Sequence, residues 1–297
     1  MAGMTQPPLI LGLVSDLFFT VQIENAAKRL GYRAQWIERG EDVEPDFADA
    51  PAAPSATPRL GEPLTGRGSR FITRLVEWQP ALVIVELSST AIPWPEWIAA
   101  LKSSAATRRI PVIAFGPHTD LDLRAHAVDV GCDAVIAQGR LVSALPDLIQ
   151  KYARLTDAAA LAADCDGDLS ALALKGIELF NRHEFFEAHE ELEHAWNEEL
   201  GPARELYRGI LQVAVAYLQI TRRNYNGALK MFLRMRQWLD PLPDTCRGVD
   251  VARLRADALA ARAELERRGP ERIGEFDRRL FKPLLLNNAT RDARPRT

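Results

Sequence analysis

The chain has 297 residues, of which 47% are hydrophobic, and it carries a formal net charge of −3. Its length allows a sizeable buried core and suggests about two domains, while its charge gives no overall attraction to nucleic acid or anionic membranes. The three cysteines, Cys132, Cys165 and Cys246, are far apart and lack CxxC spacing, which argues against a disulfide framework or a zinc site. No stretch is apolar over the roughly 18 residues that a membrane span needs, so a location in a reducing cytoplasm is expected.

The N-terminal half alternates apolar strands with helices. The run at 81–87, ALVIVEL, is apolar without alternation, as a central parallel strand covered on both faces should be. The predicted strands cover 9–14, 32–37, 81–87, 110–115 and 134–137, and the predicted helices cover 21–30, 97–102, 121–130 and 141–155. This alternation predicts an open five-stranded parallel α/β sheet with the flavodoxin-like strand order 2-1-3-4-5.

Between residues 39 and 69 the alternation stops. This segment is rich in proline and alanine and has no periodic apolar face. It is therefore predicted to be a disordered insertion after the second strand.

The element order and local sequences of residues 8–154 resemble the CheY-like receiver domain of bacterial response regulators. The segments PALVIVEL, IPVIAFG and GCDAVIAQG resemble its third, fourth and fifth strands. The resemblance implies an aspartate that accepts a phosphoryl group, an acidic pair that holds magnesium, a switch hydroxyl and a lysine. This chain has Glu86 at the acceptor position, Ser15 and Asp16 at the acidic pair, Gly116 at the switch position and Gln138 at the lysine position.

These departures remove groups that phosphotransfer to a receiver needs, namely an aspartyl nucleophile, a hard cation with oxygen ligands and a cation over the phosphoryl oxygens. The domain is therefore predicted to be a degenerate pseudo-receiver that cannot take phosphate by the usual route. Two interpretations of Glu86 stay open: a permanent charge that resembles the phosphorylated state, or a polar residue left at a sheet edge. The segment SDLFFT stands where GxGxxG would be needed, which argues against a dinucleotide site.

The composition changes at residues 156–168, which are rich in alanine and aspartate. We interpret this segment as a linker between a domain at 1–155 and a helical domain at 169–297. The second domain is predicted to be an antiparallel helical bundle, with hairpins similar to tetratricopeptide repeats. Its predicted helices cover 169–180, 184–199, 203–222, 227–239, 251–267 and 271–281.

The most informative segment of this half is 181–196, NRHEFFEAHEELEHAW. His189 and Glu193 are one helical turn apart and project beside Trp196 onto the apolar stripe of the helix. Burying both side chains costs several kcal/mol, roughly 2 to 7 for each neutral polar group, unless each finds a partner. They are therefore predicted to form a buried pair, with Asn181 or Gln212 satisfying the remaining hydrogen bonds.

The pattern HxxxExxW at His189, Glu193 and Trp196 is followed by RGILQVAVAYLQITRRNYNGALKMF. Together they resemble the domain-of-unknown-function family numbered 309, a small all-helical domain of bacteria and archaea. The resemblance covers residues 170–240 and implies a helical fold. It implies no activity, because none is assigned to the family.

Three roles stay open for this region. The first is a structural or binding polar cluster of Asn181, His189, Glu193, Trp196 and Gln212. The second is a hydrolytic or single-metal catalytic site with His189 as base and Glu193 orienting it; a dinuclear centre is poorly supported, because the following helices lack a second ExxH motif. The third is binding of a phosphate-bearing ligand or RNA by an arginine patch, which would consist of Arg222, Arg223, Arg234 and Arg236.

The expected function is non-catalytic. We expect a regulatory or scaffolding protein of the bacterial cytoplasm that binds a ligand or a protein partner, or associates with itself. No cofactor, metal or membrane is expected, and nucleic acid is the less favoured partner. An enzyme that uses His189 and Glu193 is the alternative.

Overall fold

The structure is a computed structural model that describes residues 6–45 and 64–286. The chain divides after Leu155 into two compact units, and each unit has an apolar core of its own. Within the described ranges, no helix combines the length and the apolar character that a bilayer-spanning segment requires.

The first unit is a parallel sheet of five strands in the order β2-β1-β3-β4-β5, which confirms the predicted topology. Strands β1, β3 and β4 are buried along their whole length, which is why their sequences are apolar without alternation. The elements in chain order are β1 (Leu9–Leu13), α1 (Leu17–Arg29), β2 (Arg33–Ile37), a 3-10 turn (Gly40–Asp42), α2 (Ser69–Trp78), β3 (Leu82–Glu86), α3 (Trp94–Ser103), β4 (Val112–Gly116), α4 (Leu121–Asp129), β5 (Ala134–Ala137) and α5 (Gln138–Tyr152).

The prediction of a disordered insertion at residues 39–69 is wrong at both ends of that segment. Glu44 is only 4% exposed, and its carboxylate accepts hydrogen bonds from the backbone N–H groups of Gly68 (3.0 Å) and Arg70 (3.0 Å) and from the indole of Trp97 (3.1 Å). A carboxylate at this place satisfies the free N–H groups that begin a helix, so Glu44 caps α2 from 24 residues upstream. The rest of the predicted insertion, 46–63, lies outside the described residues.

The second unit is helical, as predicted. Helix α9 lies between α8 and α10 and is buried over most of its circumference, which makes it the central helix of the bundle. The elements are α6 (Ala158–Cys165), α7 (Ala171–Asn181), α8 (Phe185–Glu198), α9 (Arg204–Thr221), α10 (Tyr225–Leu239), β6 (Thr245–Cys246), β7 (Val249–Asp250) and α11 (Val251–Arg268). The likeness of its hairpins to tetratricopeptide repeats stays a prediction.

The predicted last helix, 271–281, is wrong. Two 3-10 turns, Pro270–Glu275 and Arg278–Leu280, stand in its place. The backbone of Phe276 between them is extended, and its ring packs on that of Phe281 with centroids 5.4 Å apart. Both rings are buried in the core, and the extended break allows both to point inward.

Two glycines let neighbouring helices approach closely. A Cβ atom at Gly209 of α9 would lie 2.2 Å from Cδ2 of Leu239 on α10, and one at Gly176 of α7 would lie 2.7 Å from Cγ of Leu192 on α8. Neither distance is possible for a real side chain without movement of the neighbour. The packing of α7 to α10 therefore depends on both glycines.

Candidate functional site

Glu86 ends β3 with a buried carboxylate, 6% exposed. Its Oε2 atom accepts hydrogen bonds from the backbone N–H groups of Ser15 (2.9 Å) and Asp16 (3.1 Å) and from the Ser15 hydroxyl (3.1 Å). Its Oε1 atom accepts a hydrogen bond from the Ser88 hydroxyl at 3.1 Å. These four donors, which we call the carboxylate cage, offset the cost of burying the group and hold it at the carboxyl edge of the sheet.

The other positions of the predicted degenerate site do not restore the missing chemistry. Asp16 is exposed, and its Oδ1 atom caps α1 by accepting a hydrogen bond from the N–H of Phe18 at 2.8 Å. Gly116 is buried at the end of β4, where an added Cβ would lie 3.1 Å from Cβ of Leu87. Gln138 begins α5 and makes no hydrogen bond to the carboxylate cage within the described ranges.

The predicted buried pair of His189 and Glu193 does not form. Glu193 is exposed, His189 is partly buried, and in the part of the chain that the structure describes no hydrogen bond or ion pair joins them. The buried residues of α8 are Phe185, Ala188, Leu192 and Ala195. The centre of that stripe lies about 80° around the helix from His189 and about 120° from Glu193. The centre of the stripe therefore lies between the two alanines and the Phe185–Leu192 pair, and Glu193 falls beyond its edge.

The same geometry bears on the catalytic and metal hypotheses. A histidine base needs a partner that orients its ring, and Glu193 does not supply one here. In residues 6–45 and 64–286, no three His, Cys, Asp or Glu side chains come together in a way that could hold a metal ion.

Asn181 pairs with the C-terminal segment of the described chain and not with the predicted polar cluster. Its Nδ2 atom donates to the carbonyl of Leu284 (3.1 Å), and its Oδ1 atom accepts from the N–H of Leu284 (2.7 Å). Nearby, the ring of Phe281 packs on Phe185 and Tyr217, with centroid distances of 5.4 and 4.5 Å. Asn181 thus fixes this segment against the bundle.

Trp196 belongs to a row of indole and guanidinium groups that crosses three helices. The guanidinium carbons of Arg204 and Arg208 on α9 each lie 4.6 Å from the centroid of the Trp196 ring on α8. Arg208 also lies 3.9 Å from the ring centroid of Trp238 on α10. Each such cation–π contact contributes roughly 0.5 to 2 kcal/mol, so these four residues, the Trp–Arg row, help to hold α8, α9 and α10 together.

Two residues of the Trp–Arg row, Trp196 and Arg204, carry buried polar atoms without partners. Within the described ranges, the buried side-chain nitrogen and oxygen atoms that lack a hydrogen-bond partner are Trp196 Nε1, Arg204 Nε, Glu205 Oε2 and Gln212 Oε1. Positions 204, 205, 208 and 212 lie within an arc of about 100° on α9. Folded proteins pair nearly all of their buried polar atoms. The unpaired atoms on α8 and along this side of α9 therefore mark a candidate binding site.

The four arginines of the predicted patch do not lie together. Arg222 and Arg223 are exposed at the turn between α9 and α10, whereas Arg234 and Arg236 are partly buried further along α10. Positions 234 and 236 are about 200° apart around the helix, and Arg236 is paired with Asp240 at 2.9 Å. These arginines do not form one continuous surface for a phosphate or RNA.

The expectation of no disulfide is wrong. Cys165 at the end of α6 and Cys246 in β6 are bonded across 81 residues of sequence, and both are buried. Disulfides persist mainly in oxidising compartments, so the cysteines give no support to the predicted reducing cytoplasm. No local spacing could have indicated this pair, because the two residues meet only through the fold.

Arg247, next to the disulfide, is a further residue whose burial and ion pairs the sequence does not indicate. It is 8% exposed and donates hydrogen bonds to Glu199, to the Tyr207 hydroxyl (2.7 Å) and to Asp164 Oδ1 (2.9 Å). Burial disfavours the charged guanidinium, but these hydrogen bonds outweigh it and raise the pKa of Arg247. The group ties α6, the α8–α9 loop and the β6–β7 turn into one buried ionic cluster.

The chain thus combines a receiver-like α/β unit, which contains the carboxylate cage, with a helical unit, which contains the Trp–Arg row on α8, α9 and α10. Residues 173–231, from α7 into α10, match DUF309, a domain of unknown function, which confirms the predicted resemblance. No curated protein matches the chain.

Solved structures similar to this chain over about half of its length include several response regulators. The phosphorylated cyanobacterial phytochrome response regulator RcpA is 14% identical, covers 49% of this chain and 94% of its own, and has a TM-score of 0.35. The chemotaxis response regulator CheY4 of Vibrio cholerae is 9% identical, with coverages of 49% and 98% and a TM-score of 0.36. A response regulator of Chloroflexus aurantiacus is 12% identical, with coverages of 49% and 97% and a TM-score of 0.37.

Proposed function

We propose that this chain is a regulatory protein of bacterial signalling whose receiver-like unit works without phosphorylation and whose helical unit binds a ligand or partner. The carboxylate cage around Glu86 is the observation that carries the proposal. A receiver acceptor must present a free carboxylate oxygen to phosphorus beside a bound cation. In this chain both oxygens of Glu86 already accept hydrogen bonds from the protein itself.

The cage also supports a single fixed state for this edge of the sheet. The donors to Oε2 come from the loop between β1 and α1, and Glu86 itself ends β3. Hydrogen bonds to a charged acceptor contribute about 1.5 to 3 kcal/mol each, so the two strand ends are firmly connected. We infer that Glu86 supplies a constant negative charge where a receiver would gain one on phosphorylation.

A non-catalytic role for the helical unit is supported by the surroundings of His189 and Glu193. These side chains are not paired with each other, and Glu193 is exposed to solvent. The unpartnered atoms around the Trp–Arg row favour binding as the role of this unit.

The proposal is tested by adding beryllofluoride and Mg²⁺ to the purified full chain and following the backbone amides of Ser15 and Asp16 by NMR. We expect no saturable shift, because the cage fills the acceptor site. A matched variant, with Ser15→Asp, Glu86→Asp and Gln138→Lys, restores the acidic pair, the acceptor and the lysine and serves as the reference for binding. Saturable binding by the wild-type chain, abolished by Glu86→Gln, would refute the pseudo-receiver.

A further inference from the structure

We propose that the Trp–Arg row and Gln212 form a site for a small organic anion that also carries a hydrogen-bond donor, the chemistry shared by amino acids and hydroxy acids. This inference deepens the proposed binding role of the helical unit and rests on it. It starts from the four unpartnered buried atoms, which comprise two donors and two acceptors.

The two donors define the anionic end of the ligand. Trp196 Nε1 and Arg204 Nε each carry an N–H without a partner, and the ring of the first is in contact with the guanidinium of the second. Arg208 adds a second positive charge at the same ring. Guanidinium groups bind carboxylates through short, charge-assisted hydrogen bonds. A carboxylate is thus the group that this side of the row recognises.

The two acceptors define the other end. Gln212 Oε1 and Glu205 Oε2 lack donors, and a fully deprotonated oxyanion such as sulfate has none to offer them. An ammonium or hydroxyl group next to the carboxylate supplies the missing donor. Positions 205 and 212 are about 10 Å apart along α9, a span that a small molecule can bridge.

The burial of these atoms explains why the occupant is small. Each of the four atoms is shielded from solvent, although Trp196, Arg204 and Gln212 are only partly buried as residues. We therefore expect a compact ligand to reach these atoms by displacing the partly buried Trp196 and Arg204 side chains. Atoms that are shielded in this way are out of reach of a folded partner protein.

The experiment is isothermal titration calorimetry of the full chain with L-serine, L-glutamate, glycerate and inorganic sulfate, an anion without a hydrogen-bond donor. Tryptophan fluorescence provides a second readout, since two indoles lie in the row. We expect saturable binding of an amino acid or a hydroxy acid and weaker binding of sulfate. Comparison of serine with glycerate, which share a hydroxyl and a carboxylate, shows whether the ammonium group is required.

Two conservative variants test the site. Trp196→Phe keeps a ring but removes the N–H, and Gln212→Leu keeps the size but removes the amide; each should weaken binding about tenfold to a hundredfold. Trp78→Phe, the same change in the first unit, should leave affinity unchanged. Absence of binding by all four compounds, equal affinity for sulfate, or unchanged affinity in both variants would overturn the proposal. None of these outcomes bears on the carboxylate cage around Glu86, so the ligand-site proposal can fail while the pseudo-receiver proposal stands.

Discussion

Replacing Arg247 with methionine should destabilise the helical unit by about 3 kcal/mol. The side chain is 6% exposed, and its loss leaves the carboxylates of Glu199 and Asp164 facing each other without a cation. Breaking a buried ion pair costs roughly 3 to 5 kcal/mol. The lower end applies here, because Glu199 keeps a hydrogen bond from the N–H of Gly201 (3.1 Å) and Asp164 keeps one from the N–H of Ala203 (2.7 Å).

The assay is urea denaturation of the full chain at neutral pH, with hydrogen exchange to show which unit loses protection. Arg279→Met is the matched control, since Arg279 also pairs with a carboxylate, that of Asp277, but its side chain is 89% exposed. An exposed pair contributes little to stability, because solvent and salt screen it. A loss below about 1 kcal/mol for Arg247→Met, or equal losses in the two variants, would refute the structural role of the cluster.

The cluster also sets a pH dependence. The hydrogen bond from Arg247 and a backbone N–H bond from Gly201 hold the pKa of Glu199 below its ordinary value, against the opposing effect of burial. A carboxyl with a lowered folded pKa stabilises the fold above its unfolded pKa, near about 4.3, and this contribution is lost as the pH falls through the folded pKa. The difference in unfolding free energy between wild type and Arg247→Met should therefore shrink below about pH 4; a difference that grows there would contradict it.

Three further changes test the packing. Glu44→Ala should speed amide exchange in the first turn of α2 and cost about 2 to 3 kcal/mol, because backbone N–H groups lose their acceptor; unchanged exchange would remove its capping role. Gly209→Ala should cost about 1 to 3 kcal/mol through overlap with α10, whereas Gly139→Ala, which meets no atom within 4 Å, should not lower the melting temperature. Changing Cys165 and Cys246 to serine should cost about 2 to 4 kcal/mol, and reduction of the wild type should have the same effect; a melting temperature insensitive to dithiothreitol would argue against the bond.

The sheet can be predicted from the sequence because its central strands are continuous apolar runs. The position of Glu86 at the end of β3 follows from the same pattern. The carboxylate cage around Glu86 cannot be predicted in this way. Two of its donors are backbone N–H groups of Ser15 and Asp16, about 70 residues away, and backbone groups leave no signature in a sequence. Glu44 is hidden for a similar reason: it stands beside a proline-rich segment, far in sequence from the helix that it caps.

In the helical half, periodicity predicts helices α7 to α11 but misplaces the edge of one face. Trp196 extends the projected apolar stripe of α8 toward His189 and Glu193, whereas the buried residues of the helix are Phe185, Ala188, Leu192 and Ala195. The β6–β7 hairpin is equally hard to find. Its turn at Arg247 and Gly248 has φ values of 50° and 78°. A sequence usually indicates such a turn by Asn-Gly or Asp-Gly, and an arginine at the first position does not indicate it.

Under the proposed function, Glu86 supplies a negative charge that is built into the fold and carries no record of past stimuli. A kinase or phosphatase would then have no phosphoryl group to add or remove at the acceptor position of the first unit. The strength of the protein's output would follow how many copies the cell makes and how fast it degrades them. Control would pass from the timescale of phosphoryl turnover to the slower timescale of synthesis and proteolysis.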